Sequence, residues 1–280
     1  MGDDTPTSHA PAAHYNRVHD AWRLIMGEEF HYGYFESPQT PLSEATAALT
    51  RQMLDRAGLR AGDRVLDVGC GTGRQACDLA LDFGVSVLGI TTSTTGVEAA
   101  TELAGVRGAD AARFEERDGT ANGLPADSFD VVWVLESSHL MQDRRALLSE
   151  CVRVLAPGGR IVLCDIIRRR EIPFLEVRER RADLATLRAA FGEARMEPLE
   201  SYASTLEELG ADLLDSTDIS DQTLPTFAAW RANVGQNADV LADLLGEQGV
   251  DDFVRSCDVL ESFWHDRTLG YGILSAAKPA

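Results

Sequence analysis

The sequence predicts an α/β fold: a doubly wound, mostly parallel seven-stranded sheet with an antiparallel last strand, capped by helices from N-terminal and inserted segments. Three observations predict it. From residue 64 to residue 167, apolar runs of strand length alternate with stretches of helical periodicity. A glycine-rich turn, Gly69-Cys-Gly-Thr-Gly73, joins the first such strand to the first such helix. A Leu155-Ala-Pro-Gly-Gly159 stop ends a helix just before a further apolar run.

Composition narrows the function. With 280 residues the chain forms one large domain or one domain with a sizeable insertion. Its net charge is −19 and Lys278 is its only lysine, so it repels nucleic acid and anionic membranes. The expected partner is a small molecule, with no nucleic acid and no membrane, and a homo-oligomer is left open. Five cysteines with no Cys-x-x-Cys pair read as reduced core thiols of a cytoplasmic protein, and no metal site is expected. The N-terminal residues do not read as a basic-apolar leader, so none is expected, and no run approaches the ~18 apolar residues of a membrane helix.

The elements follow in order. Residues 1–13 read as a polar, disordered tail, and 14–57 as N-terminal lid helices. Within the latter, Phe30-His-Tyr-Gly-Tyr-Phe35 is an aromatic cluster too short and bent for a strand, and Pro41 to Ala57 an amphipathic helix. Val65–Val68 is a buried strand, followed by a helix from Arg74 to Phe83 with Ala76, Leu79, Ala80 and Phe83 on one face. Val85–Ile90 is the second strand, and Thr95 with Glu98 has capping-box spacing for the next helix. Ala112–Arg117 and Val131–Leu135 are the third and fourth strands. Asp143 caps a helix through Leu155, and Arg160–Asp165 is the fifth strand. The core is expected over 58–167, 205–220 and 267–280, including a short helix from Thr205 to Gly210 and a strand from Leu213 to Ile219. Segments 168–204 and 221–266 are helical cap insertions, and Gly270–Ser275 is the last strand.

The glycine spacing is G-x-G-x-G, which is neither the dinucleotide G-x-G-x-x-G nor a Walker loop. The string Val65-Leu-Asp-Val-Gly-Cys-Gly-Thr-Gly73 resembles motif I of class I S-adenosylmethionine-dependent methyltransferases, which have a Rossmann-like fold. His31-Tyr-Gly-Tyr-Phe35 resembles the H-x-G-Y-[WF] element of tocopherol-type and natural-product members. Glu136-Ser-Ser-His-Leu-Met-Gln-Asp-Arg144, with Asp165 at the end of the fifth strand, resembles the sugar O-methyltransferases of natural-product biosynthesis. The resemblance covers residues 30–165 well and 205–275 in outline.

That resemblance implies S-adenosyl-L-methionine as cofactor, held by Tyr34, Asp67, Gly69, Cys70, Gly71, Thr91, Thr92, Asp118, Gly119, Leu135 and Glu136. Gly89-Ile-Thr-Thr-Ser93 departs from the acidic strand end that usually binds ribose; Thr91 and Thr92 either replace the acid or only end the strand. Around the third strand, Asp118 and Thr120-Ala121 are alternative registers for the adenine contact. His31, Tyr32 and Trp230 are candidate substrate contacts, although such rings also serve as core. His139 and Asp165 match the family's proposed base and partner, or else cap a helix and end a strand. The expected reaction is methyl transfer to a small secondary-metabolite acceptor, at a hydroxyl with His139 as base. Transfer to carbon or nitrogen by proximity, and a cofactor-binding cyclase that transfers no methyl, are the alternatives.

Overall fold

The computed structural model describes residues 20–280. The tail expected over 1–13, and residues 14–19, lie outside the described residues. Seven strands, β1 (Arg64–Val68), β2 (Ser86–Thr91), β3 (Ala112–Glu116), β4 (Phe129–Leu135), β5 (Leu155–Arg168), β6 (Asp212–Asp218) and β7 (Leu269–Ala277), form one sheet ordered β3-β2-β1-β4-β5-β7-β6. The pairs from β3 to β5 are parallel, and β7 runs antiparallel to both β5 and β6. The order reverses between β1 and β4, the crevice where open α/β sheets bind ligands at their carboxyl ends.

Strand side chains alternate between the two faces of the sheet. Val65, Val131, Trp133, Val162, Cys164, Tyr271 and Ile273 belong to one buried cluster. Leu66, Val132, Val134, Ile161, Leu163, Leu274 and Ala276 belong to another. Both faces are therefore covered, which is why the strands read as continuous apolar runs. Helix α1 covers 20–26 among the described residues. Helices α2 (Leu42–Ala57) and α3 (Arg74–Phe83) feed the first cluster through Leu49, Met53, Ala76 and Leu79. Helix α4 (Thr94–Arg107) packs on β2 and β3. Helix α5 (Arg144–Val154) feeds the second cluster through Leu147, Leu148 and Cys151. Its cap is the expected one: the Asp143 side chain accepts from Ala146 N at 2.9 Å.

Three local expectations change. Helix α4 is capped by Ser93, whose Oγ accepts from Gly96 N at 3.1 Å, rather than by a Thr95–Glu98 box. Helix α2 lies on β5 and β7, so it is a layer of the sheet and not a lid. After α6 (Phe174–Glu179) and α7 (Arg181–Phe191), helix α8 runs from Leu199 to Glu208. It starts earlier than expected because Pro198 sets the N-terminus, and Leu199, Tyr202 and Leu206 form one buried face against α5 and β6. The region 221–266 is helical, as expected. It holds α9 (Ser220–Thr223), α10 (Thr226–Gln236) and α11 (Ala238–His265), the last broken at Gly246 with φ +76°. Among the described residues no helix is long and apolar enough to cross a membrane.

Leu163 sits at 0 % exposure in the middle of β5, between β4 and β7. Leu163→Ala should cost about 2–5 kcal/mol of unfolding free energy. Urea unfolding followed by circular dichroism checks it; a loss below about 1 kcal/mol would contradict the packing described.

Candidate active site

A cavity of about 1170 Å³ lies over the carboxyl ends of β1, β4 and β5. Its floor begins with the glycine turn. Gly69 N and Cys70 N donate to Ile90 O at 2.8 and 3.1 Å, tying the turn to the end of β2. A Cβ at Gly69 would stand 2.2 Å from Ser137 Cβ, so only glycine lets the ends of β1 and β4 approach this closely. Gly71 has φ +54°, and a Cβ there would meet nothing within 4 Å. That position opens into the cavity and gives a ligand access to bare backbone.

Asp67, at the end of β1, is 3 % exposed and lines the cavity. Its Oδ2 has no hydrogen-bond partner among the described residues, and burial pushes the carboxyl up to about 7. An orphaned carboxylate beside an open glycine cradle fits a ligand that brings an N–H or ammonium donor.

At the end of β4, Glu136 takes φ +48°, a conformation rare for a non-glycine residue. Its Oε1 accepts from Tyr32 N at 2.7 Å and from the Tyr271 hydroxyl. The aromatic segment before α2 is thereby fastened to β4 and β7. Tyr32 itself is buried against Phe227, Trp230, Trp264 and Tyr271, with ring centroids 5.0 to 5.5 Å apart. His31, 3 % exposed, meets the Glu29 carboxylate with Nε2 at 2.7 Å and the Tyr32 carbonyl with Nδ1 at 2.8 Å. Burial disfavours its charge, but Glu29 outweighs that and raises its pKa.

The other end of the floor is the pair His139–Asp165. His139 lies in a single 3₁₀ turn (Ser138–Leu140) directly after β4. Asp165, at 0 % exposure on β5, takes four donors. Oδ1 accepts from His139 Nδ1 at 2.6 Å and Ile166 N at 2.7 Å. Oδ2 accepts from Ser138 Oγ at 2.5 Å and His139 N at 3.0 Å. The Tyr202 hydroxyl, 2.9 Å from Ser138 Oγ, closes the network from α8. Burial opposes ionisation of both partners, yet their mutual attraction wins: the His139 pKa is raised and that of Asp165 lowered. The Nε2 of His139 makes no hydrogen bond among the described residues, and the ring lines the cavity.

Residues 66–163 match the family described as "Methyltransferase domain". "Methyltransferase GfsG" of Streptomyces halstedii is 34% identical over 95% of this chain and 93% of its own. The chain belongs to the class I S-adenosylmethionine-dependent methyltransferases. The "27-O-demethylrifamycin SV methyltransferase" of Amycolatopsis mediterranei is 33% identical over 98% of each chain. Among solved structures, "the [4+2]-Cyclase SpnF" superimposes with a TM-score of 0.78 at 27% identity, over 99% of this chain and 97% of that one. The methyltransferase therefore uses S-adenosylmethionine, and the observations at Asp67 and Gly71 fit that group.

The cavity brings together most residues expected from sequence. Asp67, Gly69, Cys70, Gly71, Leu135, Glu136, His31, Tyr32, Trp230 and His139 all line it. Asp165 stands behind His139 rather than in the wall. Thr91, Thr92, Asp118 and Gly119 sit at the ends of β2 and β3, outside the lining. The Asp118 side chain is engaged locally, with Oδ1 accepting from Thr120 N and Oγ1 at 2.8 and 2.7 Å. Tyr34 borders a separate hollow with Phe35 and Gln52. Sequence reasoning missed Ser138, Tyr202, Tyr271 and Glu29. Ser138 adjoins a motif residue and could have been weighed, but nothing in the chain's order points to Tyr202 or Tyr271.

Two outcomes follow from the floor. A ligand ammonium pairing with Asp67 lowers its pKa again, so affinity for S-adenosylhomocysteine should fall as pH drops below about 7. Calorimetry on both sides of that pH should show the fall in the native enzyme and not in Asp67→Asn; identical pH profiles would separate Asp67 from the ligand. Gly71→Val, whose branches would enter the cavity, should weaken the same binding by roughly tenfold or more. Unchanged affinity in that variant would move the cofactor elsewhere.

Proposed function

We propose that the enzyme methylates a hydroxyl of a secondary-metabolite acceptor, with His139 as general base and Asp165 as its positioning partner. The observation that carries this reading is the 2.6 Å contact between His139 Nδ1 and Asp165, which leaves Nε2 free toward the cavity. When bound, S-adenosylmethionine supplies an activated methyl group on a sulfonium sulfur. The protein's tasks are then to position the acceptor and accept its proton. Asp165 holds the imidazole so that Nδ1 keeps its proton and neutral Nε2 presents a lone pair. The hydroxyl proton passes to Nε2, and the resulting imidazolium is stabilised by the carboxylate beside it.

The cofactor's hold is assigned to Asp67, Gly69, Cys70, Gly71, Leu135 and Glu136, with the ends of β2 and β3 contributing Thr91, Thr92, Asp118 and Gly119. His31, Tyr32 and Trp230 are assigned to the acceptor side, where Tyr32 and Trp230 anchor the cap. The similarity to a 27-O-demethylrifamycin SV methyltransferase supports a natural-product acceptor. Five free, buried cysteines support a cytoplasmic enzyme. The similarity to a [4+2]-cyclase favours a second reading, cyclisation without methyl transfer. Release of S-adenosylhomocysteine in step with product separates the two.

His139→Ala should lower kcat by ~10²–10⁴-fold with little change in cofactor affinity. The sign of the pH effect follows from the raised His139 pKa: below it the ring is protonated and cannot act as base. The rate should therefore rise with pH, with an inflection above the ~6.5 of a free imidazole. Asp165→Asn removes the carboxylate that raises this pKa, so the inflection should move to lower pH as kcat falls. A His139→Ala enzyme with near wild-type kcat, chemistry being rate-limiting, would exclude the base role.

A further inference from the structure

We infer that the acceptor is a bulky, uncharged and largely apolar molecule, selected by the wall that α1 and α7 build over the cavity. The inference rests on the reading above that cofactor and acceptor share this space. Size is the first argument. Pockets for a single drug-sized ligand measure about 300–1,000 Å³. A cavity of about 1170 Å³ exceeds that range and leaves room for a second ligand beside the cofactor.

The second argument is the character of the wall. Trp22 and Met26 of α1 line the cavity together with Leu184, Leu187 and Phe191 of α7. Trp22 and Phe191 meet with ring centroids 6.3 Å apart, so the two helices join as a roof. Apolar side chains continue to the mouth: Val106 and Leu140 line the cavity and are 80 % and 49 % exposed. Large exposed apolar residues at a cavity mouth match a ligand that carries its own apolar surface.

The third argument is charge. Six carboxylates but only three guanidinium groups line the cavity. Each of those three is already paired: Arg23 with Glu28 at 2.6 Å, Arg74 with Asp78 and Glu28 at 3.2 Å, and Arg188 with Glu193. His31 is engaged by Glu29 at 2.7 Å, and His139 by Asp165 at 2.6 Å. Every guanidinium among the described lining residues already has a carboxylate partner that a phosphate, sulfonate or carboxylate would have to displace. An anionic acceptor would find carboxylates outnumbering guanidinium groups in the lining, and each guanidinium already beside a carboxylate, and would bind poorly.

Two fluorescent probes test this without turnover. N-phenyl-1-naphthylamine is neutral, and 8-anilinonaphthalene-1-sulfonate is the same skeleton bearing an anion. Both are titrated into the full-length enzyme saturated with S-adenosylhomocysteine, so the cofactor side is filled. The neutral probe should bind at least ~10-fold more tightly than the sulfonate. Leu184→Lys, which places a cation in the α7 wall, should weaken the neutral probe and narrow or reverse the preference, with S-adenosylhomocysteine affinity unchanged. Circular dichroism checks that the variant is folded, and the wild-type comparison stands without it. Equal or tighter sulfonate binding, no binding of the neutral probe, or a folded Leu184→Lys enzyme with the native preference would overturn the inference. Because neither probe is methylated, this outcome is independent of whether His139 serves as base.

Discussion

The geometry of the candidate site depends on one buried carboxylate. Asp165 lies at 0 % exposure near the end of β5, where an isolated charge would be strongly disfavoured. It is tolerated because four donors converge on it, two of them from His139 itself. Those contacts set the 3₁₀ turn after β4, hold the imidazole and orient Ser138 toward Tyr202. Removing one partner of such a network leaves the others buried and unpaired, so its members behave as a unit. The same contacts that hold the turn in place also choose which histidine nitrogen faces the cavity.

A second fastening sets the opposite wall. Glu136 holds Tyr32 N and the Tyr271 hydroxyl, and Tyr32 in turn packs inside a box of four rings. The segment before α2 is thus anchored to β4, β7, α10 and α11 together. Burial raises the Glu136 pKa, while His31, Tyr271 and the Tyr32 amide favour its charged form. The unusual backbone of Glu136 at φ +48° fits a residue whose side chain must turn inward where the strand ends. The candidate site and the aromatic segment before α2 are therefore held by two neighbouring carboxylate networks, one from each end of a short β4-to-turn stretch.

Much of this was legible in the chain. Short apolar runs bounded by glycine turns marked β1 to β5 because a sheet covered on both faces needs strands apolar on both sides. The string from Val65 to Gly73 marked a strand-to-helix turn whose Gly69, Cys70 and Gly71 line the cavity. His139 and Asp165 were readable as candidates beside the fourth and fifth strands, but Asp165 is not a strand end: β5 runs on to Arg168 because it stays paired with β7. The cap was less legible. Helix α8 was placed too late because its buried face is defined by contacts with α5 and β6, which have no local signature. Helix α2 was grouped with the N-terminal lid by family resemblance, and its amphipathic spacing shows that a face is buried but not against what. Tyr34 read as a cofactor contact from its motif, yet its ring borders a different hollow from its neighbours His31 and Tyr32.

Local sequence determined the strands, the glycine cradle, the helix caps at Asp143 and the identity of the chemical groups, because each follows from periodicity, backbone freedom or side-chain type over a few residues. Only the tertiary structure decided which groups meet. His139 and Asp165 stand 26 residues apart, and Glu136 and Tyr271 stand 135 apart. Their contacts arise from strand order and register, in which β4 lies beside β5 and β5 beside β7. Charge pairing across the cavity has the same origin: composition shows an acidic chain, but only proximity determines which arginines are already neutralised. Register and proximity are set by how the sheet closes its two cores, a property of the whole chain that no short stretch carries.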